Sequence, residues 1–306
     1  AAFYTLGCKV NQYETEAMAE LFADSGYEIK EFTEVADVYV INTCSVTNMG
    51  DRKSRQIIRR AKKLNPNAVI AVTGCYAQTA PDEVLAIEGV NLVLGTKDRK
   101  NIVTLIEDLN TESNINHVSD IMSNHEFEEL QIKQYSNRTR AFIKIQEGCN
   151  QFCSYCIIPY ARGPVRSRAK DDVVREIKEL AHNGFKEIIL VGIHVASYGV
   201  DLGNTTLESL IMDVDKIDGV ERIRLSSIEP MTLNQEFIDS IKDSKKLCHH
   251  FHISLQSGCD ETLKRMNRKY TTAQFKGIVD GLREAFDDVA ITTDIMVGFP
   301  DESDEE

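Results

Sequence analysis

The sequence predicts an α/β protein in which a doubly wound parallel sheet is followed by a partial (β/α) barrel. Short apolar runs alternate with amphipathic helical segments along the chain, which is typical of parallel sheets covered by helices. A polar stretch at residues 110–137 interrupts the alternation and is interpreted as a linker. A chain of 306 residues is long enough for two hydrophobic cores. We therefore expect one domain at residues 1–137, linker included, and a second at residues 138–306.

The first series alternates four strand-like runs with four helical segments. The runs are short and rich in β-branched and aromatic residues, and the helical segments carry apolar residues on one face. No Gly-x-Gly-x-x-Gly motif follows any run, so the dinucleotide-binding fingerprint is absent. In chain order the elements are predicted at FYTLGC, 11–25, VYVINTC, 51–64, AVIAVTGC, 81–88, NLVLG and 101–109.

Three of these runs end in a cysteine, namely Cys8, Cys44 and Cys75. In open parallel sheets the ligand crevice lies just outside the carboxyl ends of the strands, so the three thiols can converge on one point. A single cysteine in such a place is usually a buried apolar side chain. Three in the same structural context indicate a shared ligand, and we predict that they bind a metal cluster.

The second series alternates five predicted strands with four predicted helices from residue 139 onward. Consecutive βα units form barrel-like parallel sheets whose chemistry lies at the carboxyl ends of the strands. The strands are predicted at 141–145, EIILVGIHVASYG, RIRLSSIEP, HHFHISLQSG and VAITTDIMVGFP, and the helices at 171–183, 207–217, 234–244 and 271–286.

The segment EGCNQFCSYC follows the first strand of this second series and contains Cys149, Cys153 and Cys156 in the spacing Cys-x3-Cys-x2-Cys. Three thiolates can ligate three irons of a cubic 4Fe–4S cluster and leave the fourth iron open to a substrate or cofactor. Tyr155 would place an aromatic ring beside that open iron. Zinc is the alternative metal, although zinc sites usually come as paired ligands with a fourth in reach. The two further cysteines, Cys248 and Cys259, lie outside both triads.

Composition and charge narrow the class of protein. The chain consists of 42% hydrophobic and 27% charged residues. It contains no run of eighteen apolar residues, so the sequence predicts no membrane-spanning helix. Eight cysteines without paired spacing, and no visible signal peptide, predict a protein of the reducing cytoplasm. A net charge of −13 argues against a protein that binds nucleic acid over its whole surface. The basic residues are nevertheless clustered, at positions 52–63 and 162–170.

The spacing Cys-x3-Cys-x2-Cys, with an aromatic residue before the last cysteine and after a first barrel strand, resembles the radical S-adenosylmethionine superfamily. The resemblance implies that the amino and carboxylate groups of S-adenosylmethionine chelate the open iron, and that Cys149, Cys153 and Cys156 hold the catalytic cluster. An electron from this cluster would cleave the cofactor to methionine and a 5′-deoxyadenosyl radical. The strand ends that resemble the cofactor contacts of the superfamily contain Gly192, His194, Ser226, Ser227, Glu229, Gln256 and Asp294.

A three-cysteine N-terminal α/β domain fused to such a barrel resembles the methylthiotransferases. Within this family LGCKVNQYETE, INTCSVTN and SSIEP are most similar to the branch that modifies threonylcarbamoyladenosine next to the anticodon of tRNA. The family normally ends in a small RNA-binding β-barrel domain. We therefore expect a chain truncated at its C-terminus, which lacks that domain and the last barrel unit. Asp301 also stands where glycine is commoner.

The resemblance implies two 4Fe–4S clusters with separate tasks. The cluster on Cys8, Cys44 and Cys75 would hold the sulfur, which one S-adenosylmethionine methylates. The radical made at the other cluster would remove a hydrogen from carbon 2 of the modified adenine, which then takes up the methylthio group. The implied partners are tRNA, an electron donor such as flavodoxin or ferredoxin, and a sulfur source, without a membrane. The candidate RNA contacts are Arg59, Arg60, Arg166 and Arg168; a solvated helix face is the alternative for the first two.

Three other functions remain open from the sequence. A methylthiotransferase that acts on isopentenyladenosine in tRNA or on a ribosomal-protein aspartate would use the same clusters and differ only in substrate contacts. A radical enzyme that activates another protein would leave the N-terminal triad without a role. A zinc-stabilised binding protein would use the same cysteines without catalysis, and metal analysis would distinguish it.

Overall fold

The computed structural model describes residues 1–109, 114–132 and 139–306, and the chain divides into two compact units. The first unit consists of Ala1–Tyr135 together with Ile157–Pro164, and the second of Ser136–Cys156 together with Val165–Glu306. Within the described residues, none of the helices combines the length and the hydropathy that a membrane crossing requires.

A parallel five-stranded sheet forms the first unit, as the alternating sequence pattern predicts. The fifth strand lies inside the stretch that we interpreted as a linker, so that interpretation is wrong for these three residues. Its sequence, Ile-Asn-His, has one apolar residue and therefore gives no strand signal. Residues 110–113 and 133–137 of the expected linker lie outside the described residues. In sheet order the strands are β1 (Ala2–Thr5), β2 (Val38–Thr43), β3 (Val69–Gly74), β4 (Leu92–Leu94) and β5 (Ile115–His117).

Helices cover both faces of this sheet. Alternate residues of β2 take part in two separate cores: Tyr39 and Ile41 pack in one, and Val38 and Val40 in the other. The first core includes residues of α2, α3 and α4, and the second includes residues of α1 and α5. The helices of the unit are α1 (Lys9–Asp24), α2 (Asn48–Leu64), α3 (Cys75–Thr79), α4 (Pro81–Leu85), α5 (Ile102–Glu107) and α6 (Ile158–Arg162).

The chain changes direction across the sheet at β1. After α1 it forms a parallel bridge from Lys30 to Ala2, and then it continues to β2, which also pairs with β1. This reversal places α1 and α2 on opposite faces, which confirms the doubly wound arrangement. In such sheets ligands bind outside the carboxyl ends of the strands where the winding reverses. Here those ends are the ends of β1 and β2.

The second unit is a curled, largely parallel sheet. The strands β6, β8 and β9 pair in parallel, β10 pairs with β11 in parallel, and isolated parallel bridges at Ile223–Leu247 and Ile228–Ile253 connect the two groups. The short β7, which the sequence did not predict, pairs antiparallel with β6. The strands are β6 (Arg140–Glu147), β7 (Arg166–Ser167), β8 (Glu187–Gly192), β9 (Arg222–Leu225), β10 (His250–His252) and β11 (Ala290–Thr292).

Helices follow the strands of this second unit, as expected for βα repeats. Two of them begin with a capping box in which a threonine and the residue three positions later bond reciprocally, at Thr206 and Thr271. The partial (β/α) barrel that the sequence predicts is thus present. Its helices are α7 (Lys170–His182), α8 (Leu207–Asp215), α9 (Gln235–Ile241), α10 (Asp260–Arg265) and α11 (Thr272–Ala285).

Candidate functional site: two cysteine triads

The three N-terminal cysteines lie where their strands end. Cys8 is the residue before α1, Cys44 follows β2, and Cys75 follows β3 as the first residue of α3. Cys8 is exposed, Cys44 is half-buried and Cys75 is buried. The thiols are close enough that Cys8 and Cys44 each influence the pKa of Cys75. The triad therefore forms one site that is buried at Cys75 and open to solvent at Cys8.

Two glycines allow the backbone to approach this site. Gly7 has φ of +102°, and a Cβ there would stand 2.8 Å from Cys44 Cβ and 3.0 Å from its Sγ. Gly74 has φ of +95°, and its Cβ would stand 2.4 Å from the carbonyl oxygen of Thr43. Any larger residue would displace the loops that carry the thiols. The repeated Gly-Cys pairs in LGC and TGC are the sequence signal for these positions.

A buried arginine contacts the innermost cysteine. Arg162 is 0% exposed and lies in α6, and its Nε donates a hydrogen bond to Cys75 Sγ at 3.3 Å. Its two terminal nitrogens donate to the Glu14 carboxylate at 2.6 and 3.1 Å, and Nη2 also donates to Asn11 Oδ1 at 2.5 Å. Guanidinium keeps its charge in proteins, so this site contains a fixed cation beside a sulfur. In the sequence, Arg162 is only one member of the basic cluster at positions 162–170, which does not predict a contact with a cysteine.

The same carboxylate holds a second buried arginine. Arg99 is 1% exposed and its Nη1 lies 2.6 Å from Glu14 Oε1, while its Nε donates to Glu128 at 2.8 Å. Glu14 is itself 0% exposed. Buried charges are retained only when they are paired and hydrogen-bonded, and here two cations share one fully buried anion with a second carboxylate nearby.

Burial controls the protonation of the metal-free thiols. It raises the pKa of Cys75 to about 11, while the Arg162 cation acts in the opposite direction. Burial also raises the pKa of Cys44. Metal ligation requires thiolates, so loading this site releases protons and is favoured as the pH rises.

The second triad lies on the loop after β6. A neighbouring segment fixes this loop, because the Ser154 amide donates to the Met266 carbonyl at 3.1 Å and Asn267 Nδ2 donates to the Phe152 carbonyl at 2.9 Å. Phe152 and Asn267 both have positive φ, at 48° and 59°, which non-glycine residues rarely adopt. The loop is thus held in one shape by contacts that the sequence alone does not reveal.

The three thiols of this loop influence one another. Cys149, Cys153 and Cys156 are all half-buried. Desolvation raises the pKa of Cys149 to about 11; the Gln151 amide acts against this shift, and the other two thiols add to it. Arg268 Nη1 donates to Cys153 Sγ at 3.5 Å. In each triad an arginine thus donates a hydrogen bond to a cysteine sulfur.

In the described parts of the chain, no group of three or more histidine, cysteine, aspartate or glutamate side chains has the geometry to hold a metal ion. A cubic 4Fe–4S cluster places each thiolate on a different iron. Its ligands therefore stand further apart than those of a single ion. Thiolates are the standard ligands of such clusters, and the N-terminal site supplies three thiols. Adjacent glycines let the backbone approach these thiols closely, and a cation is bonded to one sulfur. The residues present therefore fit a cluster of this kind.

Two of the expected cofactor contacts present unsatisfied polar atoms. His194 follows β8, its amide donates to Gln146 Oε1 at 2.7 Å, and its Nδ1 lies 2.6 Å from Ser197 Oγ. The buried Nε2 of His194 and the buried Oγ of Ser226 have no hydrogen-bond partner among the described residues. Buried polar atoms are almost always bonded, so these two are the kind that a polar ligand would satisfy.

The remaining expected contacts differ in exposure. Glu229 accepts a hydrogen bond from the Met231 amide at 2.9 Å, and burial raises the pKa of this carboxyl. Gln256 has φ of 69° and its amide donates to the carbonyl of Asp294, whose side chain is 74% exposed. Gly192, Ser227 and Tyr155 also belong to this unit; Tyr155 is 40% exposed, with its ring 6.3 Å from that of Phe299.

Two of the four expected RNA contacts are placed differently from the expectation. Arg166 is 2% exposed and Arg168 is 0% exposed, and Arg168 forms an ion pair with Glu176. Because neither guanidinium reaches the surface, the expectation of phosphate contacts is wrong for both residues. Arg59 and Arg60 are exposed on α2.

Two family models match the sequence, one in each half. The uncharacterised protein family UPF0004 matches residues 1–95, and the radical SAM superfamily matches residues 143–306.

Curated relatives match along the whole chain. A Bacillus subtilis protein named threonylcarbamoyladenosine tRNA methylthiotransferase MtaB is 50% identical over 307 residues, which cover 100% of this chain and 68% of the relative. The protein of that name from Aquifex aeolicus is 42% identical, with 100% and 74% covered. A tRNA-2-methylthio-N(6)-dimethylallyladenosine synthase from Thermoanaerobacter pseudethanolicus is 39% identical, with 99% and 65% covered.

A solved structure has a similar fold at low sequence identity. The radical S-adenosylmethionine methyltransferase TsrM from Kitasatospora setae, with tryptophan and a cofactor analogue bound, aligns with a TM-score of 0.69 and 16% identity. The alignment covers 99% of this chain and 69% of TsrM.

Proposed function

Because the chain belongs to the methylthiotransferase family of radical S-adenosylmethionine enzymes, we propose that it adds a methylthio group to carbon 2 of threonylcarbamoyladenosine in tRNA. The observation that carries this proposal is the presence of two separate cysteine triads, in each of which an arginine donates to a sulfur. One cluster is enough to generate the radical. The additional triad in the N-terminal unit therefore supports a reaction that also transfers sulfur.

We propose that Cys149, Cys153 and Cys156 hold the catalytic cluster and that Cys8, Cys44 and Cys75 hold the sulfur-carrying cluster. When bound, the clusters and S-adenosylmethionine supply the one-electron chemistry and the transferred group. The two triads lie in different compact units, which supports two domains. The expected division at residues 1–137 and 138–306 agrees with these units except that Ile157–Pro164 belongs to the first one.

The chain's own residues position these groups. The β6 loop is fixed by residues 265–268 before any cofactor binds, so the thiols of the second triad need little reorganisation. The unsatisfied His194 Nε2 and Ser226 Oγ support a role in holding S-adenosylmethionine. The remaining proposed contacts of this cofactor are Tyr155, Gly192, Ser227, Glu229, Gln256 and Asp294.

The choice of threonylcarbamoyladenosine rests on sequence similarity. Relatives named for this nucleoside reach 50% and 42% identity, and one named for dimethylallyladenosine reaches 39%. Lys9-Val10-Asn11 after Cys8 favours the same branch. An adenosine in a stacked anticodon loop must be turned out to reach an active site, at a cost of a few kcal/mol.

The proposed partners follow from the reaction. The tRNA would contact the exposed Arg59 and Arg60 of α2. Reduction of the clusters requires an electron donor such as flavodoxin or ferredoxin, and repeated turnover requires a sulfur source. We place the protein in the cytoplasm, where thiols remain reduced.

Two substitutions test the division of roles. Cys149→Ala should abolish the reductive cleavage of S-adenosylmethionine to 5′-deoxyadenosine. Cys44→Ala should retain this cleavage with dithionite as the reductant but should abolish methylthiolation. Both products are measured by chromatography and mass spectrometry on anaerobic protein with tRNA that contains threonylcarbamoyladenosine. Equal loss of cleavage in both folded variants would contradict the proposed roles.

The substrate is tested with the same anaerobic protein. We expect methylthiolation of tRNA with threonylcarbamoyladenosine and not of tRNA with isopentenyladenosine or of ribosomal protein. Preference for either of the latter would assign the chain to another branch of the family. A chain that binds zinc alone would exclude the radical reaction.

A further inference from the structure

We propose that Arg162 is a positioning residue for the N-terminal cluster, which fixes the Cys75 thiolate and makes reduction of that cluster more favourable. The inference rests on the proposed function, since it requires a cluster on Cys8, Cys44 and Cys75. It adds a residue outside the cysteine motifs that acts on the sulfur-carrying site through a ligand.

The contact between Arg162 and Cys75 is direct and closed to solvent. The Nε–Sγ distance of 3.3 Å lies within hydrogen-bond range for sulfur, and the two residues are 0% and 3% exposed. Glu14 and Asn11 accept the terminal N–H groups of the guanidinium. The planar group is therefore held at both terminal nitrogens, which fixes the direction of the Nε–H bond.

Glu14 also provides an internal comparison. Arg99 is 1% exposed and its Nη1 forms an ion pair with Glu14 Oε1 at 2.6 Å, the distance at which Arg162 Nη1 donates to the same oxygen. Arg99 contacts Glu14, Glu128 and the Thr96 carbonyl, whereas the hydrogen bond to Cys75 Sγ comes from Arg162. The two arginines thus share a partner and a degree of burial but differ in their contact with Cys75.

The direction of the effect follows from charge. One-electron reduction adds a negative charge to the cluster, and hydrogen bonds to its sulfurs together with nearby charge set its reduction potential. A fixed cation bonded to a ligand sulfur in a low-dielectric site stabilises the reduced state more than the oxidised state. The same cation stabilises an additional anionic sulfur at the cluster.

The test is a potentiometric titration of the anaerobic holoenzyme, followed by electron paramagnetic resonance. A variant without the second triad identifies the signal of the N-terminal cluster. Arg162→Met should lower the equilibrium constant for reduction of this cluster at least tenfold, or about 59 mV for one electron. Arg162→Lys, which keeps the charge without the Nε–H bond, should restore part of the difference. The potential of the other cluster should not change.

Arg99→Met is the matched control. In each methionine variant Glu14 keeps the other arginine, so the buried carboxylate is not left alone. We expect Arg99→Met to shift the N-terminal potential by less than half as much. Equal shifts of the potential in the two variants would show that Arg162 acts only as a structural ion-pair partner. The absence of a shift in both variants would also overturn the inference.

A second measurement keeps Arg162 in place and detects its contact with the cluster directly. The variant without the second triad is labelled with ¹⁵N-arginine, so that the arginine bonded to Cys153 cannot contribute to the signal. Its reduced N-terminal cluster should show a nitrogen coupling in electron spin echo spectra. Arg99→Met should retain this coupling. If the coupling is absent in a chain that carries the N-terminal cluster, this inference is overturned but the proposed function is not. Absence of iron at the N-terminal site would overturn the proposed function as well, and iron analysis separates the two results.

Discussion

Glu14 is the residue on which the charge balance around the N-terminal triad depends. It pairs two buried arginines, one of which is bonded to Cys75, and it comes from the first helix of the chain. Removal of one partner of a buried ion pair typically costs about 3–5 kcal/mol, because the other charge is left uncompensated. The carboxylate therefore stabilises the fold and fixes the group beside the sulfur at the same time.

His194 makes stability depend on pH. Desolvation, with a smaller contribution from the Arg268 cation, lowers the pKa of His194 from 6.5 to about 4. The unfolded chain therefore binds more protons than the folded one between these values, and stability is lost as the pH falls from 6.5 to 4. The loss amounts to at most about 1.4 kcal/mol per pH unit in this window.

We expect His194→Gln to flatten this dependence in urea denaturation measured from pH 7 to pH 4. His117→Gln, at an exposed histidine, is the control and should behave as the unsubstituted protein does. An unchanged slope in His194→Gln would show that this imidazole is not held neutral by burial.

Among the elements, α2 combines a well-defined start with a basic exposed face. Thr47 caps it by accepting the Gly50 amide at 3.1 Å, three residues after Cys44. Ser45 donates to Asp51 at 3.0 Å and so ties the Cys44 loop to the first turn. The exposed cations of the helix are Arg52, Lys53, Arg59, Arg60 and Lys63. The helix begins four residues after Cys44, so its exposed cations follow the proposed cluster ligand closely in the chain.

Charge reversal tests this role of α2. Arg59→Glu with Arg60→Glu should weaken tRNA binding and reduce the slope of log affinity against log salt by about 1.5, as expected for two lost phosphate contacts. Affinity is measured by fluorescence anisotropy over a series of salt concentrations. Lys276→Glu with Arg283→Glu, on the exposed face of α11, changes the net charge equally and should leave the slope unchanged. The same loss in both double variants would mean that only overall charge matters.

At the scale of the whole molecule, periodicity and cysteine spacing predicted the parallel sheet, the βα units and both triads. These features depend on local pattern, and the doubly wound sheet and partial barrel are confirmed. The environment of the arginines could not be predicted in this way. Arg162 can be buried because it forms an ion pair with Glu14, 148 positions earlier in the chain. Arg168 can be buried because it forms an ion pair with Glu176. No short-range pattern contains these pairings.

The short elements were missed for a related reason. β5 and β7 have three and two residues, too few for a period of two to be recognised. The packing of Ile157–Pro164 with the first unit likewise has no signal in the segment itself. It was this return of the chain that placed Arg162 beside Cys75.

The central claim is that one chain carries two iron–sulfur clusters on two triads, and iron analysis after anaerobic reconstitution tests it most directly. The unsubstituted chain should hold about eight irons with equal acid-labile sulfide. Alanine at Cys149, Cys153 and Cys156 should leave about half of the iron, and so should alanine at Cys8, Cys44 and Cys75. Serine at Cys248 and Cys259, outside both triads, should leave all of it. Zinc in place of iron, or loss of all iron from either triple variant, would contradict the account.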